Sequence, residues 1–229
     1  MLNLPTWVVS AARVLVIVAV PILLVATPLY IFVNPGFVHH EYGRAGFPPS
    51  IRFGDAERRR ISNVIVNYLR DRATVSDMAA ARSASGEIAL RDEEVQHLVD
   101  VRGVTDGFFI AHQVALVLGL AAALALWFST GRARLPGALR RGVWLAGGLI
   151  VFVLLFSLVD FDLFFTRFHQ VFFSAGSWLF YEDDTLIQLY PLPLWIDAVL
   201  KVGATVLALA AAVLGLATIL ARGAGGAQP

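Results

Sequence analysis

The chain has 229 residues, of which 58% are hydrophobic and 15% charged, with a formal net charge of +1 and a mean hydropathy of +0.71. A soluble domain is about 45–50% apolar and about 25% charged, so this balance excludes a soluble cytosolic enzyme, a disordered chain and a coiled coil. The near-neutral charge supplies no basic face for nucleic acid, and the lack of cysteine removes disulfides, thiolate metal sites and a cysteine nucleophile.

A helix that crosses ~30 Å of hydrocarbon at ~1.5 Å per residue needs ~20 mostly apolar residues. Four segments qualify: 14–33, 108–128, 142–159 and 202–221. The first has an apolar core too long for a signal peptide and no cleavage site after it, so it reads as a retained anchor. Basic residues of short loops stay in the cytoplasm. The loop between the second and third spans holds Arg132, Arg134, Arg140 and Arg141 and no acid, and Arg13 and Arg222 flank the outer spans on the same side. The expected class is therefore an all-α polytopic membrane protein of one membrane domain, with cytoplasmic termini. Segments 34–107 and 160–201 then lie outside the membrane as an extracytoplasmic cap.

Residues 34–53 read as irregular, with Pro35, Gly36, Gly43, Gly46, Pro48 and Pro49. From 55 to 71 a helix is expected, because Ile61, Val64, Ile65, Tyr68 and Leu69 form one apolar stripe at helical spacing; Asp55 is its expected N-cap. Residues 73–90 read as a loop with a short hairpin around Gly86. A further helix starts near Asp92, with Asp92, Glu93 and Glu94 in its acidic first turn. It runs into the second span, with a kink expected at Gly103 or Gly107. Residues 161–195 hold eleven aromatic side chains, too many for a solvated loop. They are expected in the outer headgroup region or dipping into the bilayer, walling a lipid-facing pocket. Backbone that is not helical at that depth has to be buried in protein or line a cavity.

Five histidines carry most of the candidate chemistry. His39 and His40 read as a solvated pair beside the first span. His112 lies inside the second span, where an ionisable group is either functional or a hydrogen-bonded structural residue. His97 shares a helical face with Glu93 and Asp100, and an Asp at i+3 can orient an imidazole or stabilise its cation; a charged surface face would look the same. His169 lies among Phe168, Phe172 and Phe173, where loss of water lowers an imidazole pKa and suits a base acting near neutrality. An interfacial aromatic belt with one incidental histidine fits equally well. No G-x-S-x-G, H-E-x-x-H or Walker loop is present. No metal site is assigned, although His97, His169, Asp100 and Asp184 on separate segments leave one open.

Three stretches in order resemble one bacterial family. They are Glu94-Val95-Gln96-His97-Leu98-Val99-Asp100-Val101, then Phe164 to Phe173 around Phe168-His169, then Trp178-Leu179-Phe180 through Asp184-Thr185-Leu186-Ile187 to Tyr190-Pro191 and Trp195-Ile196-Asp197. With four spans and a large first outer loop, the chain resembles the lipoprotein intramolecular transacylase (Lit) family of integral membrane proteins. The turn Tyr181-Glu182-Asp183 lacks the proline that members often carry.

The resemblance implies an acyltransferase of the bacterial cytoplasmic membrane with its active site on the extracytoplasmic side. Its partners would be diacylglyceryl-modified lipoproteins and membrane lipid. An acyl chain would pass from the glyceryl group to the α-amine of the N-terminal cysteine, with no cofactor. The substrate would bring both nucleophile and electrophile, which fits a chain without cysteine or a serine elbow. The amine, with a pKa of ~7.7–8.0, must lose a proton to attack. The expected assignment is His97 and His169 as the acid/base pair, Asp100 orienting His97, and Asp184 in support. Phe168, Phe172, Phe173, Trp178, Tyr190 and Trp195 would hold the acyl chains. Alternatives are a membrane lipid hydrolase or metal-dependent amidase using the same residues, and a non-enzymatic accessory or sensor protein.

Overall fold

Most of the described residues are helical. The structure, a computed structural model, describes residues 3–129, 131–174 and 176–225. In order they form α1 (Thr6–Ala26), α2 (Leu29–Phe32), α3 (Pro35–Tyr42), α4 (Asp55–Leu69), α5 (Val75–Ala79), α6 (Asp92–Trp127), α7 (Leu135–Val159), α8 (Phe161–Phe172), α9 (Thr185–Leu189) and α10 (Leu192–Gly225). A 3₁₀ turn, Arg132–Arg134, precedes α7. Among the described residues no strand forms. Arg82 and Ile88 pair in an antiparallel bridge across a turn at Gly86, whose φ of +87° suits a residue without a side chain.

Four helical stretches are long and apolar enough to cross a membrane: Thr6–Phe32, Asp92–Trp127, Arg132–Val159 and Leu192–Gly223. The all-α, four-span expectation is met, and each helix is longer than its apolar run. At 36 residues α6 is about 54 Å long, well beyond the ~30 Å of hydrocarbon. Its acids and its arginine (Asp92, Glu93, Glu94, Asp100, Arg102 and Asp106) all precede Phe108. The part suited to lipid is therefore 108–127, and His97 lies outside it. Gly103 and Gly107 fall within the helix without ending it.

Two compact units interleave along the chain. Unit 1 comprises Met1–Pro28, Phe108–Leu155 and Val202–Pro229, which are the apolar portions of α1, α6, α7 and α10. Its interior is built from Val9, Val16, Val20, Leu24, Leu126, Val143, Ile150 and Val206. The outward side chains are also apolar: Val117, Trp144, Phe152 and Ile219 are all at least 64% exposed, as a lipid-facing surface requires. Glycines allow α1 close approach. A Cβ at Gly119 would come within 2.7 Å of Ala19 Cβ, and one at Gly142 within 2.6 Å of Val20 Cβ. His112 Nε2 lies 3.1 Å from Thr27 Oγ1, so the intramembrane histidine is a hydrogen-bonded link between α6 and the end of α1.

Unit 2 comprises Leu29–Gly107 and Phe156–Lys201. The apolar stripe of α4 is buried as its spacing predicts: Ile61, Ile65 and Tyr68 join Phe53, Met78, Leu90, Leu98, Leu186 and Leu189 in one core. Three local expectations are corrected. Residues 75–79, inside the expected loop 73–90, form α5, capped by Thr74 and Asp77. Residues 35–42, expected to be irregular, form α3, because the Asn34 side chain accepts from Gly36 N (2.8 Å) and Pro35 takes the first helical position. Asp55 is the first residue of α4, and Gly54 is its N-cap. The aromatic segment is largely helical: Asp160 turns extended, ends α7, and caps α8 by accepting from Leu163 N at 2.9 Å. Helical backbone satisfies its own polar groups, which resolves the problem of apolar side chains on an irregular loop.

A charge cluster unseen in the sequence holds α3 to the start of α10. The Glu41 carboxylate is fully buried and accepts from Arg44 (2.8 Å) and Lys201, and Arg44 also pairs with Asp197. Burial raises the Glu41 pKa, but Lys201 and Arg44 outweigh it and hold the carboxyl below its ordinary value. Removing one partner of a buried pair costs about 3–5 kcal/mol. Lys201 is partly exposed, so Lys201→Met is expected to cost about 3 kcal/mol, read as a lowered unfolding midpoint in detergent. Adding Glu41→Leu is expected to restore most of that loss.

Candidate functional site

The residues placed together lie in unit 2. His97 sits in the second turn of α6 and His169 in the last turn of α8, 8% and 9% exposed. Their rings stack with centroids 6.2 Å apart and planes 23° off parallel. Aromatic side chains close around them. Phe173 lies 5.0 Å from His97 and 5.4 Å from His169, Phe180 lies 5.4 Å from His97, and Trp178 lies 4.8 Å from His169. Phe165, one turn back on α8, is 4.0 Å from the His169 ring.

Hydrogen bonding fixes one tautomer. His169 Nδ1 is 2.8 Å from the Phe165 carbonyl oxygen, which can only accept. Nδ1 therefore carries the proton, and Nε2 of the neutral ring is a free base. His97 Nδ1 is buried and has no hydrogen-bond partner among the described residues; the same holds for Trp178 Nε1. A buried polar atom left unpaired is costly and calls for an explanation. Burial disfavours the imidazolium on both rings. It takes His97 down to about 4, helped by His169 and opposed by Asp100. It lowers His169 as well, against the Phe165 carbonyl. Both rings are neutral at pH 7.

Asp100 and Asp184, the two acids expected to support the histidines, are held in different ways. Asp100 accepts from Gln96 Nε2 at 3.2 Å and bears on His97 through its charge. Asp184 is 4% exposed, accepts from Tyr181 N at 2.7 Å and pairs with Arg91. In the proline-free turn it is thus Asp184 that is buried and bonded, while Asp183 is exposed. Asp184 closes the turn that follows Phe180, whose ring lies 5.4 Å from that of His97. Glu94 is the residue whose role the sequence hid. Fully buried, it accepts from Leu186 N (2.7 Å) and Arg91 N (2.9 Å), which ties the start of α9 to the start of α6. Burial, with Asp184 nearby, raises its pKa, and the two backbone N–H groups oppose the rise. Its position three residues before His97 was the available signal.

The six aromatic positions separate into three groups. Phe168, Phe172 and Trp195 are 42%, 38% and 40% exposed and present apolar surface, with the Phe168 ring also 5.6 Å from that of His169, whereas Phe173 and Trp178 pack on the histidines. Tyr190 is partly buried and packs against the core, its hydroxyl 3.2 Å from Ser62 Oγ and its carbonyl accepting from Trp195 Nε1. Ser177, close to His169 in sequence, donates to the Ser174 carbonyl at 3.0 Å. His39 and His40 belong to the last turn of α3 and do not join the pair. Among the described residues no three His, Cys, Asp or Glu side chains are grouped to hold a metal ion.

The comparisons with known proteins bear on the fold and the family. The model of the family described as lipoprotein intramolecular transacylase Lit matches residues 13–195. An uncharacterized protein of Aquifex aeolicus is 27% identical over 168 residues, 72% of this chain and 74% of that protein. The fold is also that of in meso structures of the membrane integral lipoprotein intramolecular transacylase Lit from Bacillus cereus. One, with a histidine-to-arginine mutation, has a TM-score of 0.76 at 16% identity over 96% of this chain and 95% of that one. Another has a TM-score of 0.68 at 17% identity over 97% and 96%. Those identities speak to the fold. The family match itself runs across both histidines and the Glu94–Asp184 region, and with it this four-span membrane protein belongs to the lipoprotein intramolecular transacylase (Lit) family.

Proposed function

We propose that this protein moves an acyl chain from the diacylglyceryl group of a lipoprotein to the α-amine of its N-terminal cysteine, leaving an S-monoacylglyceryl lyso form. The observation that carries this reading is the pair of buried, neutral imidazoles inside an aromatic enclosure. The amine nitrogen attacks the ester carbonyl, the C–N bond forms and the glyceryl C–O bond breaks. The proton lost by nitrogen is the one gained by the glyceryl oxygen, so nothing else is consumed. An imidazole within reach typically contributes ~10²–10⁴-fold to such a transfer. His169 Nε2, freed by the Phe165 carbonyl, suits the base. His97, once protonated, gives its proton up readily, and the charge of Asp100 steadies its cation.

The tetrahedral oxyanion needs a donor. The Trp178 indole N–H, buried without a partner and on a ring 4.8 Å from His169, suits that task. The exposed faces of Phe168, Phe172 and Trp195 suit acyl chains. Held together by the enzyme, amine and ester gain much of the remaining rate from proximity. The same reading places the termini in the cytoplasm and unit 2 outside. The acid-free arginine loop between α6 and α7 supports it.

The direct test is mass spectrometry of the N-terminal lipopeptide of a tagged lipoprotein, from a bacterium that makes only the diacylglyceryl form, with and without this protein. The expected product has unchanged mass and one acyl chain on nitrogen. Loss of one acyl mass would mean hydrolysis, and an unchanged peptide would mean an accessory role.

His97→Ala and His169→Ala are expected to lower turnover by ~10²-fold or more at normal protein levels. Trp178→Phe keeps the ring and removes the N–H; it is expected to lower kcat by ~10–10³-fold with KM nearly unchanged. The pH dependence follows from the sign of the shifts. Lowered pKa values keep both rings neutral as pH falls, so kcat/KM is expected to follow the amine, rising to about pH 7.7–8.0. No further break is expected at about 6.5, the ordinary histidine value. The His97 limb belongs at about 4. An added break near 6.5 would place the imidazoles in water.

A further inference from the structure

Unit 1 contains six arginines and no aspartate or glutamate. Arg13, Arg132, Arg134, Arg140, Arg141 and Arg222 therefore have no carboxylate partner within their own unit. Three of them, Arg13 on α1, Arg134 in the 3₁₀ turn and Arg141 on α7, line a pocket of about 370 Å³ together with Gly137. Gly137 lies in the first turn of α7, where the helix dipole adds partial positive charge. A pocket lined by three arginines and one glycine, with no acidic residue in its lining, selects an anion, and guanidinium forks match phosphate oxygens. Arg132 is engaged elsewhere, 3.9 Å over the Trp127 ring.

We propose that this pocket binds the phosphate of an anionic phospholipid headgroup. The surface leading away from it distinguishes a lipid from a free ion. Trp144 and Leu145 lie three and four residues beyond Arg141, hence on its face of α7, and are 71% and 58% exposed. Next to Arg13 on α1, Val14 is 58% exposed. A headgroup seated on the arginines has apolar side chains on both flanking helices along which its acyl chains can lie. The site belongs to unit 1 and uses no residue of the proposed reaction, so either can fail without the other.

The test is native mass spectrometry of the full-length protein in detergent, titrated with dioleoylphosphatidylglycerol, dioleoylphosphatidylcholine or inorganic phosphate. Wild type is expected to retain phosphatidylglycerol and to release phosphatidylcholine. Arg134→Gln/Arg141→Gln is expected to weaken phosphatidylglycerol binding about ten- to thirtyfold, from the worth of each surface arginine toward an anionic lipid. Arg222→Gln, outside the pocket, is expected to bind as wild type. If the double variant does not fold, Arg13→Gln alone replaces it, with a weakening of about fivefold expected. Equal retention of phosphatidylcholine, displacement of phosphatidylglycerol by millimolar phosphate, undiminished binding by the pocket variant, or equal weakening by Arg222→Gln would overturn the proposal.

Discussion

The carboxylate of Glu94 is the contact on which the rest of unit 2 depends. A helix begins with N–H groups that lack partners, and a buried helix start must find acceptors for them. Glu94 gives one oxygen to Arg91 N at the start of α6 and the other to Leu186 N at the start of α9. Arg91 in turn pairs with Asp184, and Thr185 Oγ1 donates to the Ala89 carbonyl. Two helix starts distant in sequence are thereby joined around one acid. The turn that precedes α9 follows Phe180, and the turn that follows Glu94 in α6 carries His97. Replacing this carboxylate with an apolar group would leave both N–H groups without their acceptor, a cost beyond that of one ordinary hydrogen bond.

Around that brace the enclosure settles a conflict between burial and chemistry. An imidazole in water at pH 7 is partly cationic, while a base has to be neutral and close to its proton donor. Phenyl and indole rings exclude water from His97 and His169 and so keep them neutral. The same rings offer few polar atoms to satisfy the nitrogens. The fold answers this for His169 with the Phe165 carbonyl one turn back, and leaves His97 Nδ1 and Trp178 Nε1 unpaired. Unpaired groups of that kind are what a polar substrate can recognise in an apolar site.

Much of this was legible in the sequence, and the parts that were not have physical reasons. Spans, the stripe of α4 and the acidic start of α6 follow from periodicity and end charges, which are local. Asn34-Pro35 is also a local helix-start signal, but it lay hidden in a stretch of glycines and prolines that reads as irregular. The aromatic load of residues 161–195 pointed to burial and not to the helix that achieves it. Neighbouring residues left each histidine with a bland alternative, and that the two rings lie 6.2 Å apart follows only from the folded chain. Glu94–Leu186, Glu41–Lys201 and Asp184–Arg91 pair residues roughly 90 or more positions apart. Periodicity carries no information about such pairs.

His97 stands on a helix that runs on without a break into its lipid-suited part. His97 is eleven residues, about 16 Å, from Phe108, and no break in the helix separates them. His169 follows a helix that ends at Asp160, where the chain turns extended before α8 begins. The two histidines therefore differ in how the chain reaches them. One is held in register on a continuous helix, the other is placed by a cap, and a substitution at Asp160 would act on the start of α8 without touching the register of α6.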